Sequence, residues 1–193
     1  ASAPDDEETC VFFRDISNAS NPATMVASSL GLIPGESVTF GSTAPPSAAN
    51  GKVVFTGLDN EDAPTLGGIY LAPLTSNPTL TPLVEIGDLV PNSQGVALGD
   101  GSSFNAFGEG LAFDGRYLAF WAAWGSEKRE IILECPADGN ADIKQYWMEN
   151  SPNGDGLWPM EVPVNQGIFL MDTQTNSLKL VARTGNGQEF QDF

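Results

Sequence analysis

The chain has no histidine, only 8 Lys and Arg residues, and 2 cysteines in 193 positions. Each scarcity excludes something. Without histidine, no Ser-His-Asp or Cys-His arrangement and no histidine-ligated metal site can be built from this chain. Enzymatic chemistry would have to rest on carboxylates, Lys, Tyr or Ser. Against 25 Asp and Glu the few cations leave a net charge of −17, and no basic stripe exists to meet phosphates. Nucleic acid and anionic membranes both need cationic contacts, so neither is an expected partner. No apolar run is long enough to span a bilayer as a helix, and no membrane insertion is expected. Cations such as Ca²⁺, and neutral surfaces, remain open to an acidic protein.

What is present is a globular composition, 41% hydrophobic and 9% aromatic, long enough to bury a substantial core as one domain. The opening ASAPDDEETC, without Met, is expected to be a mature N-terminus left by signal-peptide removal, which makes the protein secreted. In that setting Cys10 and Cys135 are expected to form one long-range disulfide, with two buried free thiols as the alternative. Residues 1–9 read as a flexible acidic lead-in. Asn18-Ala19-Ser20 is a glycosylation sequon if the host is a eukaryote.

The order in the chain comes from repetition. Phe107–Trp124, FGEGLAFDGRYLAFWAAW, reads as a strand, a turn at Asp114-Gly115, and an apolar strand at Tyr117–Trp121. Ile168–Met171, a polar turn at Thr173–Ser177 and Leu178–Val181 form a further hairpin. That hairpin occurs in three copies, led by Cys10-Val11-Phe12-Phe13, Gly68-Ile69-Tyr70-Leu71 and Gly167-Ile168-Phe169-Leu170, with second strands ending near Val26, Val84 and Val181. The first two copies run into similar loops, LIPG at 32–35 and LVPN at 89–92. Between hairpins, Val38–Gly41 matches Asn105–Gly108, and Asn50–Phe55 matches Asp114–Phe120 with a one-residue gap. The closing Glu189–Phe193 matches Ser103–Phe107.

A repeat of about 50 residues holding four short strands is the signature of propeller blades. The expected fold is therefore all-β: propeller-like four-stranded antiparallel meander repeats in a ring that is incomplete or closed by its own termini. The single repeat domain, 10–193, divides into a partial unit 10–35, a unit 36–92, a unit 103–185 carrying an insertion at 125–165, and the first strand of a further unit at 189–193. The only helix candidate is Asp142–Glu149, inside the insertion. The runs FGEGLAFDGRYLAFWAAWG, QGIFLMDTQTNSLKLVARTG and EFQDF resemble repeats of secreted propeller-like proteins of the broad TolB/NHL-like kind, over most of residues 36–193. That resemblance implies architecture and carries no catalytic residue across.

Candidate chemistry concentrates in the insertion. Asp138, Asn140 and Asp142 stand at alternate positions with Glu149 at position twelve, the oxygen spacing of a Ca²⁺ loop, although Ile143 and Lys144 occupy the sixth and seventh places. Asp59-Asn60-Glu61-Asp62 and Asn153-Gly154-Asp155 are weaker oxygen clusters in expected turns. Trp147 and Trp158 lie among polar neighbours and could stack on a neutral sugar, whereas Trp121 and Trp124 read as core. Among Glu109, Asp114, Glu134, Glu149 and Asp155, a carboxylate pair could in principle hydrolyse glycosides, and Glu109 between two glycines is the acid to inspect first. The leading expectation is an interaction or structural module acting through other copies of itself or a second protein chain. A glycan-binding protein and a carboxylate hydrolase are the alternatives.

Overall fold

The computed structural model describes residues 8–76, 78–136 and 138–184 and the backbone of 190–192. Residues 1–7 of the acidic lead-in, and Glu189 and Phe193 of the expected closing strand, lie outside these. The chain divides into two compact units, 1–125 with 166–193, and 126–165.

The first unit is built from antiparallel hairpins. β1 (Cys10–Phe13) pairs with β2 (Thr24–Ser28) in a two-stranded sheet. A second sheet follows as a meander of β5 (Lys52–Leu58), β6 (Gly67–Pro73) and β7 (Thr81–Glu85). Its first edge is supplied by two short pieces, β3 (Ser42–Thr43) and β4 (Ser47–Ala49), both pairing with β5. Pro45-Pro46 lies between them; proline donates no ladder hydrogen bond, so the edge strand breaks there. The third sheet has the order β12-β11-β10-β9-β8, with β8 (Phe104–Phe113), β9 (Tyr117–Glu134), β10 (Leu157–Asp172), β11 (Ser177–Thr184) and β12 (Phe190–Asp192). Of the two long strands, residues 117–125 and 166–172 belong to this unit. The protein is thus mostly β in antiparallel sheets that include a four-strand meander, and among the described residues no closed barrel or propeller ring is found. No helix among them is long and apolar enough to cross a membrane.

The three hairpins share one irregularity. The ladder slips by one residue between Val11 and Phe12 in β1, between Ile69 and Tyr70 in β6, and between Ile168 and Phe169 in β10. The skipped partners are Val26, Leu83 and Val181. A bulge at the same place turns Phe12, Tyr70 and Phe169 into equivalent positions. It also corrects the sequence alignment by one residue, since Leu83 rather than Val84 matches Val26 and Val181. Gly68 and Gly167 precede these bulges, where the paired strand comes too close for a side chain: a Cβ would lie 2.1 Å from the Val84 carbonyl oxygen and 2.5 Å from that of Ala182.

The connecting loops repeat as well. Leu32 bridges Thr39 and Leu89 bridges Ser103, while the Phe40 and Phe104 amides donate to Gly31 O and Asp88 O at 2.8 and 2.9 Å. Phe40 therefore corresponds to Phe104, not to Phe107 as the sequence match suggests. The reason is that the match counts residues from the glycine, whereas the backbone counts from the loop bridge.

Packing follows from this correspondence. Phe40, Phe55 and Tyr70 form one aromatic triad, with Phe40 edge-on to Tyr70 at 5.2 Å and 76°. Phe104, Phe120 and Phe169 form its counterpart, with Phe104 edge-on to Phe169 at 5.0 Å and 78°. The first triad packs with Val11, Val26 and Ile33 in one core cluster; the second packs with Val54, Ile69, Val84 and Val90 in another. The middle sheet feeds both clusters because alternate residues of β5 and β6 point to opposite faces. This is why Val53, Val54 and Phe55 are all buried.

The second unit holds residues 126–134 of β9, 157–165 of β10, and α1 (Ala141–Asn150) between them. Asn140 caps α1 by accepting from the Asp142 amide at 2.8 Å. The helix buries none of its residues, and Ile143, Tyr146 and Met148 are exposed.

Candidate functional site

The insertion residues are the natural place to begin. Trp147 on α1 and Trp158 on β10 are brought together, ring centroids 6.1 Å apart and planes at 69°. The edge-to-face geometry makes each ring the other's packing partner rather than a pair of parallel open platforms. The Trp158 Nε1 is buried with no hydrogen-bond partner among the described residues. Beside the helix lies a concavity of about 280 Å³ lined by Glu134, Cys135, Lys144, Trp147, Met148 and Asp155.

The oxygen-rich spacing at Asp138 takes a different form from a wrapped loop. From Ala141 onward the chain is helical, so Asp142 and Glu149 are separated by about 10 Å along the axis. Asn140 is the helix cap, and Glu149 accepts from Gln145 Nε2 at 2.7 Å. Among the described residues, no three His, Cys, Asp or Glu side chains stand together where they could hold a metal ion.

The other acidic turns use their oxygens on the backbone. Asp59 Oδ1 accepts from the Thr65 and Leu66 amides at 2.9 and 3.0 Å, and its Oδ2 from Thr65 Oγ1 at 2.5 Å. Partial burial pushes its pKa upward, but these hydrogen bonds outweigh that and hold it below the usual range. Asn60 Oδ1 accepts from the Asp62 and Ala63 amides, and Asp155 Oδ1 from the Leu157 amide. Glu109 is exposed at the rim of a concavity of about 270 Å³ shared with Glu61, Thr9, Thr43 and Thr56. Asp114 caps the β8–β9 turn by accepting from the Tyr117 and Arg116 amides, which keeps its pKa low.

The expected disulfide does not form: Cys10 and Cys135 are free thiols. Cys10 opens β1 opposite Ser28, and its Sγ donates to Glu8 at 3.5 Å; burial and that acid raise its pKa. Cys135 belongs to the other unit, where its Sγ sits against Gly139. The secreted setting implied the pairing, and each thiol is instead engaged within its own unit.

Sequence reading missed an ionic latch between two turns. Arg116 donates from Nε to both Asp172 oxygens at 3.1 and 3.2 Å and from Nη2 at 2.6 Å, while its carbonyl accepts from Thr173 N and Oγ1. These bonds, the Arg116 hydrogen bond first, bring the Asp172 pKa down to about 2. An unfolded Asp titrates near about 3.9, so Asp172 stabilises the fold above about pH 4 and loses that contribution as pH falls toward the folded value. Thermal melts across this range should show Asp172→Asn below the wild type near neutral pH and level with it at the acid end. A gap that stays constant with pH would exclude the latch as its source.

It also missed the open faces of the first unit. Phe12 is 53% exposed, although Tyr70 and Phe169 at the equivalent positions are both 0% exposed. Met25, its cross-strand neighbour, is 47% exposed. On the third sheet Val181 is 42% exposed where Val26 is 7%. Only the bulge alignment reveals these as vacancies in a repeated pattern. No protein-family model, curated protein or solved structure matches the chain.

Proposed function

We propose that the protein is an extracellular interaction module of the propeller-blade type, related in architecture to the TolB/NHL-like class, and that it works by associating through its unfilled sheet faces. The observation that carries this reading is Phe12. An aromatic residue at that bulge position is buried in two sheets and solvent-facing in the third. With Met25 beside it, Phe12 makes a contiguous apolar patch, the kind of surface that marks an interaction site. The absence of histidine adds weight on the side of binding over catalysis.

The net charge of −17 sets the conditions for association. Like charge opposes it, and salt shortens the screening length from about 10 Å at 0.1 M to about 3 Å at 1 M. Light scattering on the intact chain is expected to give a mass that is a multiple of 20.4 kDa, with the associated fraction rising as salt is added. A strict monomer at every concentration and salt level would refute the reading.

A further inference from the structure

The two open faces of the first unit are complements of each other. Within the chain one kind of contact is made twice: the aliphatic face of one hairpin sheet covers the aromatic face of the next. Val11 and Val26 of the first sheet pack in the cluster of Phe40, Phe55 and Tyr70. Ile69, with Leu83 against it, packs in the cluster of Phe104, Phe120 and Phe169. Among the described residues, what remains is one aromatic face without a cover, Phe12 and Met25 on β1–β2, and one aliphatic face with nothing to cover. The latter comprises Ile168 and Leu170, both half-buried, and the exposed Val181 on β10–β11. Among the described residues β1 pairs with β2 alone, whereas the equivalent β6 is flanked by both β5 and β7.

We propose that the Val181 face of one copy docks on the Phe12 face of a second copy, head to tail, repeating between chains the contact already made twice within each. The inference rests on the assembly reading above and names its partner and its surfaces. A contact between two different patches is heterologous, and successive identical steps of this kind close into a ring when the rotation permits. Each copy brings three sheets, so two copies bring six, inside the range of about four to eight for closed propellers. A self-complementary dimer through Phe12 alone would leave the Val181 face bare.

The test uses Phe12→Lys and Val181→Lys. Both sites are exposed, so each variant keeps its own fold, to be verified by its melt and near-ultraviolet spectrum. Lysine also lowers the net negative charge, so any loss of association cannot come from added repulsion. Each variant alone is expected to weaken association at least about tenfold in Kd by light scattering. Mixed together, the two are expected to recover complexes, because one Val181 face and one Phe12 face remain intact across one junction. Ile16→Lys, in the β1–β2 turn and 88% exposed, is expected to leave the mass unchanged. If the wild type is monomeric, the assembly reading itself fails. If the wild type associates but either variant does so unchanged, or the mixture shows no recovery, the head-to-tail inference is overturned while the assembly reading stands.

Discussion

Gly68→Ala is expected to unfold the protein, or to leave it without the middle sheet at room temperature. The added Cβ would lie 2.1 Å from the Val84 oxygen and 2.7 Å from the Glu85 Cα. Both atoms are backbone of the paired strand, so no rotamer change relieves the contact. Strands β6 and β7 must separate locally, and β6, like β5, contributes to both core clusters, through Ile69 and Tyr70. Backbone clashes of this kind belong to the extreme class of single substitutions, above about 4–5 kcal/mol. Against a total of about 5–15 kcal/mol, that removes most of the folded population. Gly167→Ala meets the Ala182 oxygen at 2.5 Å and the movable Leu180 Cδ1 at 2.8 Å, in an outer sheet, and should do somewhat less damage. Gly99→Ala, with nothing within 4 Å, should change stability by no more than about 0.5 kcal/mol. Urea midpoints of the three variants give the comparison. A Gly68→Ala protein with the wild-type midpoint would mean that the β6–β7 pairing differs from that described.

Phe55→Ala should be the largest side-chain loss. Phe55 is 0% exposed on β5, tilted against Tyr70 at 5.8 Å and edge-on to Phe40 at 6.3 Å. Truncation forfeits the transfer of the ring and leaves a cavity between two rings that are themselves held by the backbone. Such changes cost about 3–5 kcal/mol. The Phe120→Ala variant removes the equivalent member of the second triad and is expected to fall in the same range. Near-equal losses would argue that the two triads are energetically equivalent as well as geometrically so. A loss below about 1 kcal/mol at Phe55 would show that the middle sheet is not held by this cluster. Tyr70→Phe offers a calibrating contrast. It removes only the hydroxyl that donates to the Glu85 carboxylate at 3.1 Å, a bond worth about 1.5–3 kcal/mol.

Much of the strand pattern was legible because its causes are local. Alternating apolar residues, the Asp114-Gly115 turn with Gly115 at φ 102°, and the polar turn before Ser177 each act within a few residues. The helix at Ala141–Asn150 was legible for the same reason. The oxygen spacing at Asp138–Glu149 did not show that Asn140 has a local use as a helix cap, because spacing cannot tell a wrapped loop from a capped helix. Repeat registers were read to within one residue at Leu83 and missed at Phe40, since bulges and bridges have no residue signature of their own.

The sequence by itself determined an acidic, histidine-free chain of antiparallel hairpins in recurrent order, because charge, catalytic inventory and hairpin formation depend on composition and near neighbours. Only the tertiary structure decided that the cysteines stay unlinked, that Arg116 latches Asp172, and that Phe12 lies open while Tyr70 and Phe169 are covered. Those outcomes depend on which sheet packs on which, through contacts between residues tens of positions apart that no local pattern encodes.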